Sequence, residues 1–552
     1  MNETLFRSSY SPIIYESKDC AAGLFDLNYG VLGLSAGVPA FLGNLEVTIE
    51  ETTKYIGGQD KYKEGDVFIL NDCYMTGAHL SDVTLISPIF YKGLLVGFTA
   101  NRAHWVDIGS KDSGYPMDST SIYQEGIRIP PIKIMENGVL KEDIADFICR
   151  NNRFYRAARG DLNAQIASCK TGEARYIALI ERFGLETLMR STQDIFNQSD
   201  AMEREVIRTI PDGVYTADGC LDNDGTIKDQ PIYVKVTVKV AGDEMVIDLT
   251  GSNKAAVGST NCGIAQTISA CRMAYKMIIS PMSSVSGGSF RALDVIAPRG
   301  SIFYAEEPTA CAWYFTSLGL MIDLVAKAMQ EAIPDMVGAA HYGDSMVVYF
   351  SGNDPRDNNK PYLYVEATVG GWGAHAGSDG ESALINTLNG VYKNIPVEVF
   401  ESNYPVKINS FKFRQDSGGP GKFRGGNGII KEYEAVYDDT NLFLWFERSK
   451  TPGWGINGGQ DGMPPDVVVK GNGQDVHMLK TNCYPLKKGQ IVMAHTGGGG
   501  GFGNAFERDY ELVQEDFNEG YISEKQAKEK YGVVFAPDGK VDIEASEKLR
   551  AS

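Results

Sequence analysis

Glycine constrains this chain more than any other residue type: 61 of its 552 positions are glycine, and they crowd between 371 and 504. Without a Cβ, glycine reaches left-handed backbone conformations and lets other main chains approach closely. The stretch therefore predicts tight turns and close backbone approaches rather than a low-complexity tail. It does not predict a nucleotide loop. A phosphate-binding loop needs G-x-x-x-x-G-K-[ST], whereas Gly421-Lys422 is followed by Phe423 and has Asp416 in place of the first glycine. The run Gly497–Gly501 also lacks a following Lys-Ser/Thr, so turns or a cavity-lining loop are expected there.

The chain is too long for one core, and at roughly 150 residues per unit it divides into about three or four. Short β-rich runs between Leu24 and Pro130, such as Asp66–Leu70, Val83–Ser87 and Gly93–Thr99, alternate with turn residues. From Asp161 to Arg208, apolar residues recur every three or four positions, broken by Gly184, which predicts a helical pair. Ile232–Val240 alternates with period two, as a half-buried strand does. Thr316–Ile333 reads as a helix ended by Pro334, and Ser523-Glu-Lys-Gln526 as a capping box opening a helix that Gly532 closes. These signals predict an α+β, multi-domain chain with mixed or antiparallel sheets. The expected units are 1–210 with the candidate site, 211–400, and a glycine-rich β unit over 401–552. No βαβ rhythm and no internal repeat is visible.

Charge and cysteine usage narrow the function. A formal net charge of −19 without a Lys/Arg cluster argues against nucleic acid. No apolar window reaches the roughly 18 residues of a membrane span, and the first residues lack a secretory pattern, so a cytoplasmic location is expected. Nine scattered cysteines fit neither a disulfide framework nor a CxxC clip and read as reduced, mostly buried thiols.

The chemistry concentrates between Asn71 and Gly109. His79-Leu-Ser-Asp82 and His104-Trp-Val-Asp107 are two His-x-x-Asp pairs, in a chain with only six histidines. The intervening segment is just long enough for a hairpin that would bring His104 beside His79. Imidazole nitrogen plus carboxylate oxygen suits Zn²⁺, Mn²⁺ or Fe²⁺, and three such ligands leave positions open for water or substrate. His79, Asp82 and His104 are the candidate ligands. Asp107 has two readings: a catalytic group that orients a histidine or takes a proton from water, or a plain turn carboxylate. Asp72 reads as a helper of the ligands or a strand-end cap.

Several ordered blocks resemble the hydantoinase B/oxoprolinase family: Asn71–Asp82, Asn101–Gly109, Ile122–Pro131, Asp416–Gly426 and Thr496–Asn504, followed by Glu507-Arg-Asp509. The resemblance implies a subunit of an ATP-dependent hydrolase of cyclic amides such as hydantoins, oxoproline or lactams. A second implied reading is the metal-binding subunit of an ATP-dependent acetone or acetophenone carboxylase. It implies one divalent metal on His79, Asp82 and His104, with ATP on a separate hydantoinase A-like partner. That partner would phosphorylate the carbonyl oxygen, and metal-activated water would open the ring. A purely structural metal is a third reading, disfavoured because only Cys73 lies near the cluster.

Within the matching blocks, Glu125 and Arg128 read as substrate contacts or as an ion pair with each other. His375, in a block where the family often has arginine, is a candidate pocket-lining residue. His341, His477 and His495 are isolated. Pro39-Ala-Phe-Leu-Gly43 departs from the family's frequent Pro-x-His-Leu-Gly, so a substrate contact assigned to that histidine does not carry over to Phe41 and a different substrate is implied.

Overall fold

The structure, a computed structural model, describes residues 1–35, 37–471 and 473–551. Its N-terminal layer is a seven-stranded antiparallel sheet in the order Val31–Leu34, Cys20–Phe25, Leu94–His104, Asp82–Tyr91, Val67–Leu70, Ile132–Glu136, Val139–Leu140. Both faces of its centre are covered, which is why Asp82–Tyr91 buries nearly every side chain instead of alternating. On one face Leu45, Ile49 and their neighbours pack against Phe68, Ile86 and Phe98. On the other, Ala158, Leu162 and Cys169 of the helix Tyr155–Phe183 pack against Ile69, Val83 and Leu85. Gln165 of that helix fixes the depth: its Nε2 donates to the Val83 carbonyl at 2.9 Å and to Asn101 Oδ1 at 3.0 Å, and its Oε1 accepts from Trp105 Nε1 at 2.9 Å. The expected helical pair is present as Tyr155–Phe183 and Leu185–Ile207, parted at Gly184.

A second sheet, ordered Leu293–Ile296, Glu244–Asp248, Ile232–Ala241, Gly213–Leu221, contains the one parallel pairing among the named strands, between its first two members. Alternate residues Val234, Val236 and Val238 meet the helices Ile264–Ile279 and Tyr314–Met329 in one core. That second helix stops at Met329, short of the expected Ile333. The last amides, Ala332 and Ile333, fold back on the Met329 carbonyl ahead of Pro334.

Two further sheets form a sandwich: Lys360–Ala367, Val347–Asp354, Thr440–Trp445 and Lys480–Leu486 on one side, and Val406–Phe413, Ile429–Ala435, Ile491–His495, Asp466–Lys470 and Val476–His477 on the other. Strands from both sides of residue 400 share the first of these sheets, so the chain is interwoven across the expected boundary. Between the sandwich faces, Glu366 receives Lys431 Nζ at 2.7 Å and the Tyr433 hydroxyl at 2.8 Å, so the buried charge is paired.

The glycine run differs from the expectation of turns. Gly497–Phe502 lies at the centre of a bundle of extended segments that bond main chain to main chain outside any named strand. Gly371 donates to Gly497, Gly499 to Gly426, Gly419 to Gly499, Gly500 to Ala340, and Gly501 to Gln460, at 2.8–3.0 Å. None of Gly498–Gly501 has a left-handed φ. The requirement is space: a Cβ on Gly499 would run into the Trp372 carbonyl, and one on Gly500 into that of Trp454. The capping helix Glu524–Tyr531 forms as expected, with Ser523 accepting from the Gln526 amide and Gly532 in the left-handed conformation. Arg508 ties its subdomain to this bundle through both Asp379 oxygens, at 2.7 Å each. No helix among the described residues is long and apolar enough to cross a membrane.

Replacing Gly499 by Ala is expected to cost about 3 kcal/mol or more, since backbone rather than a flexible side chain must yield. Gly33→Ala, where nothing lies within 4 Å and φ is ordinary, should stay within about 0.5 kcal/mol of the parent. Parallel thermal melts compare them; equal midpoints would refute the crowding argument.

Candidate metal centre

The hairpin of Asp82–Tyr91 and Leu94–His104 builds the site. Its register sets Asp82 opposite His104 and Thr84 opposite Arg102, so alternation puts all four on one sheet face. His79 precedes the strand in a tight turn, where the Asp82 amide donates to the His79 carbonyl at 3.0 Å. His79 Nε2 then lies 3.2 Å from Asp82 Oδ1 and 3.0 Å from His104 Nδ1, which is 3.0 Å from the same Asp82 oxygen. All three side chains are buried. Among the described residues they are the group of three or more candidate ligands with donor atoms close enough to share one ion.

The donor chemistry fits a cation. His79 Nδ1 sits 2.9 Å from the Ala312 carbonyl, which can only accept, so this nitrogen carries the hydrogen and Nε2 offers a lone pair. A lone pair and an ionised carboxylate then face one point, which calls for a positive centre there. Edges of 3.0–3.2 Å are of the size that one ion with bonds of about 2.0–2.2 Å spans. Burial would raise the Asp82 carboxyl, yet His79 and His104 hold it well below the usual carboxylate range. Without an ion at this point, burial opposes charging of His79 and the Asp82 charge overcomes it, raising the imidazole above its ordinary value; a bound cation would take the place of that proton on Nε2.

The group faces a small cavity of about 50 Å³, walled by Asp19, Phe41, Tyr115 and Tyr314 among others. The Tyr314 hydroxyl donates to Asp82 Oδ2 at 3.2 Å, and the Tyr115 ring lies 4.7 Å from that of His79. Asp19 carries no signal in the sequence. It precedes the strand Cys20–Phe25, and only the pairing of Cys20 with Ala103 brings it here, where its carbonyl accepts from the His104 amide at 3.1 Å. Its side chain opens onto the cavity. The enclosing protein pushes its carboxyl up to about 6, against the pull of His104. Phe41, the departure from the family pattern, makes one wall of this cavity.

Other expected residues lie elsewhere or do something different. Asp107 is buried and clamped by Arg153: Oδ1 accepts from Nη1 at 2.7 Å, and Oδ2 from the Arg153 amide at 2.8 Å and the Gly109 amide at 3.2 Å. No hydrogen bond or ion pair among the described residues joins its carboxylate to His79, Asp82 or His104. The Ala312 carbonyl, not Asp107, orients His79. Asp72 caps the short helix Cys73–Thr76 by accepting from the Tyr74 amide, and it pairs with Arg128 at 3.1 Å. Arg128 also pairs with Glu307 at 2.9 Å, so the expected Glu125–Arg128 ion pair does not exist. Glu125 is instead buried under the site, accepting from Ser119 Oγ at 2.6 Å and from the amides of Cys311 and Ala312 at 3.0 Å each. One peptide residue therefore links it to the metal group: the Ala312 N–H goes to Glu125 and the Ala312 carbonyl to His79. Burial pushes the Glu125 carboxyl up to about 7, although these donors favour the charge. His375 is exposed and lines a different, larger chamber, as does His341.

The fold is that of a known class. The chain belongs to the Hydantoinase B/oxoprolinase family, which it matches over residues 1–505. It is 31% identical to a polypeptide of Pseudomonas sp. (strain NS671) described as a component of a "Putative D-/L-hydantoinase", over 100% of this chain and 95% of that one. The crystal structure of ATP-dependent caprolactamase from Pseudomonas jessenii superposes with a TM-score of 0.90 at 28% identity, covering 100% of this chain and 96% of the other. Nucleotide-free acetone carboxylase shares the fold with a TM-score of 0.90 at 19% identity, covering 100% of this chain and 80% of that one.

Glu125 gives a pH test. Its folded-state value of about 7 exceeds the ordinary 4.5, so between the two the folded state holds a proton that the unfolded chain releases. Metal-stripped protein should therefore gain stability as pH falls from 8 towards 5, and lose it on the way back. In Glu125→Gln this component disappears, and the gap between the two melting midpoints changes across that window. A gap independent of pH would show that Glu125 is charged throughout.

Proposed function

We propose that this chain is the metal-carrying component of an ATP-dependent cyclic-amide hydrolase. The observation that carries the proposal is the convergence of His79 Nε2, Asp82 Oδ1 and His104 Nδ1 at 3.0–3.2 Å beside a small cavity. Its kinship with hydantoinase and caprolactamase polypeptides supports the substrate class, and the description of those relatives as single subunits of larger enzymes supports assembly with a partner. We infer that the partner binds ATP and phosphorylates the amide carbonyl oxygen, which activates the carbonyl carbon: water adds, the ring C–N bond breaks with the protonated nitrogen leaving, and the resulting acyl phosphate releases phosphate to a second water.

A divalent ion at such a set, Zn, Mn or Fe, supplies Lewis-acid polarisation and lowers the pKa of water from 15.7 to about 7. The residues of this chain do the rest. Ala312 holds His79 in the tautomer that presents Nε2, and Glu125 holds Ala312. Asp19, facing the same cavity, takes the proton released by the attacking water. Tyr314 holds the outer oxygen of Asp82, keeping Oδ1 turned to the focus. The aromatic wall excludes bulk water, which strengthens each of these electrostatic contacts. Asp107 serves in this reading as the clamp of the loop that follows His104.

His79→Ala and Asp82→Asn should lose bound metal and slow ring opening by about three orders of magnitude or more, while the far-UV circular dichroism stays unchanged. Metal content by mass spectrometry and ATP-dependent phosphate release with a hydantoin or lactam check this in the assembled complex. Full turnover in a metal-free variant defeats the proposal. Phosphate release driven by a ketone with bicarbonate, and not by any cyclic amide, would favour the carboxylase reading instead.

A further inference from the structure

A chamber of about 750 Å³ lies next to the metal cavity, whose 50 Å³ in this conformation has room for only a few water molecules. Two strips of chain, at residues 39–40 and 387–388, separate the two. Ala40 and Leu388 face the metal cavity, whereas their sequence neighbours Pro39 and Thr387 face the chamber. The Ala40 amide donates to the Leu388 carbonyl at 3.2 Å, closing the seam.

The polar groups of the chamber define what it can hold. Arg272 is taken by Glu46 at 2.6 Å and the Gly43 carbonyl at 2.9 Å, and Lys276 by Glu203 at 2.8 Å and Ser280 at 2.6 Å. The Trp372 indole N–H is taken by the Ile385 carbonyl at 2.7 Å. His341 differs. Only 9% exposed, it accepts the Gly373 amide on Nδ1 at 2.9 Å and stacks 4.4 Å from Trp372. Its hydrogen is therefore on Nε2, for which no acceptor is found among the described residues. Burial pushes its pKa down, so the ring is neutral near pH 7. Met273, Met336 and Phe290 also line the chamber. With both lining cations, Arg272 and Lys276, already paired, the chamber does not suit a phosphate or carboxylate. Asp335 and His375 also line the chamber but are exposed, and Thr387 is half-buried. His341 is the buried neutral donor in an otherwise largely apolar wall, which suits a neutral ring bearing a carbonyl, and methionine accommodates rings of differing shape.

We propose that this chamber is a second, holding site for the neutral cyclic amide, whose carbonyl oxygen accepts a hydrogen bond from His341 Nε2 one partition away from the metal centre. The inference rests on the cyclic-amide reading of that centre and adds where the substrate is held before it reacts.

The test titrates metal-stripped full-length chain with 2-pyrrolidinone and with hydantoin, followed by ligand-observed NMR. His341→Asn keeps an oxygen acceptor for the Gly373 amide but its shorter side chain pulls the remaining N–H donor back from the position of Nε2, and it should weaken binding about 3- to 10-fold. Met336→Trp, at a residue 42% exposed, puts a larger, rigid ring into the chamber wall and should weaken binding further. In the assembled complex both variants should raise KM with little change in kcat, with metal content unaltered. Equal affinity in the parent and both variants overturns the inference. So does a Met336→Trp variant that binds the probes normally but fails to assemble, which would make this face a groove for the partner. If both variants weaken probe binding yet the parent complex opens no ring, the holding site stands and the reading of the metal centre fails.

Discussion

The opposition of Asp82 and His104 across two neighbouring strands is the constraint on which the candidate site depends. A slip of one residue would send one of them to the far face and dissolve the donor cluster. The hairpin protects against this: its pairing is unbroken from Asp82–His104 to Ile89–Gly97, and the irregularity falls beyond, between Ile89 and Phe90. The change of register is therefore absorbed at the turn end of the hairpin, away from the site. Gln165 adds a second lock, bonding the Val83 carbonyl and the Asn101 side chain at once.

Charge explains why such a cluster tolerates burial. Asp82 and Asp19 bring two carboxyl groups to an enclosed space, and Arg102, fully buried, gives its donors to Thr84 and Thr48 hydroxyls at 2.7 and 3.1 Å rather than to a carboxylate. Enclosure and the neighbouring imidazoles move the two acids in opposite directions: the histidines hold Asp82 ionised, while burial lifts Asp19 to about 6. Two acidic groups separated in this way are the arrangement expected where one binds a cation and the other handles a proton.

How much of this the sequence disclosed follows from the range of each interaction. The hairpin ligands were legible because they lie within 26 residues and carry an unusual residue pair. The amphipathic helices and the Ser523 cap were legible because period and capping are local. Asp19, the Ala312 carbonyl, Tyr314 and the Glu125 link were not, because strand order and a loop more than 200 residues away bring them to the site. Backbone carbonyls also leave no residue-type signal. The glycine run was read correctly as needing close backbone approach. Its form was missed, because turns and a bundle of extended segments make the same demand on side-chain size.

The division between rigid and movable parts follows from the same contacts. His341 and Trp372 stand on the glycine bundle, where neighbouring main chains are pinned by amide bonds on several sides and no Cβ can be added at Gly499 or Gly500 without displacing backbone. The partition is tied differently: the Ala40 carbonyl accepts from Gln266 Nε2 at 2.6 Å and Ser269 Oγ at 2.9 Å, whereas the Ala40 amide has the single 3.2 Å bond to Leu388. Separating the two strips there breaks one neutral hydrogen bond, about 1 kcal/mol net, and also uncovers the buried Ala40 and Leu388 side chains, while leaving the metal ligands, the bundle and the Gln266 anchor in place. If substrate passes from chamber to metal centre, that seam is where the fold yields at least cost, and the residues that yield are on the Leu388 side, since the Pro39–Leu42 side is anchored to the helix Ile264–Ile279.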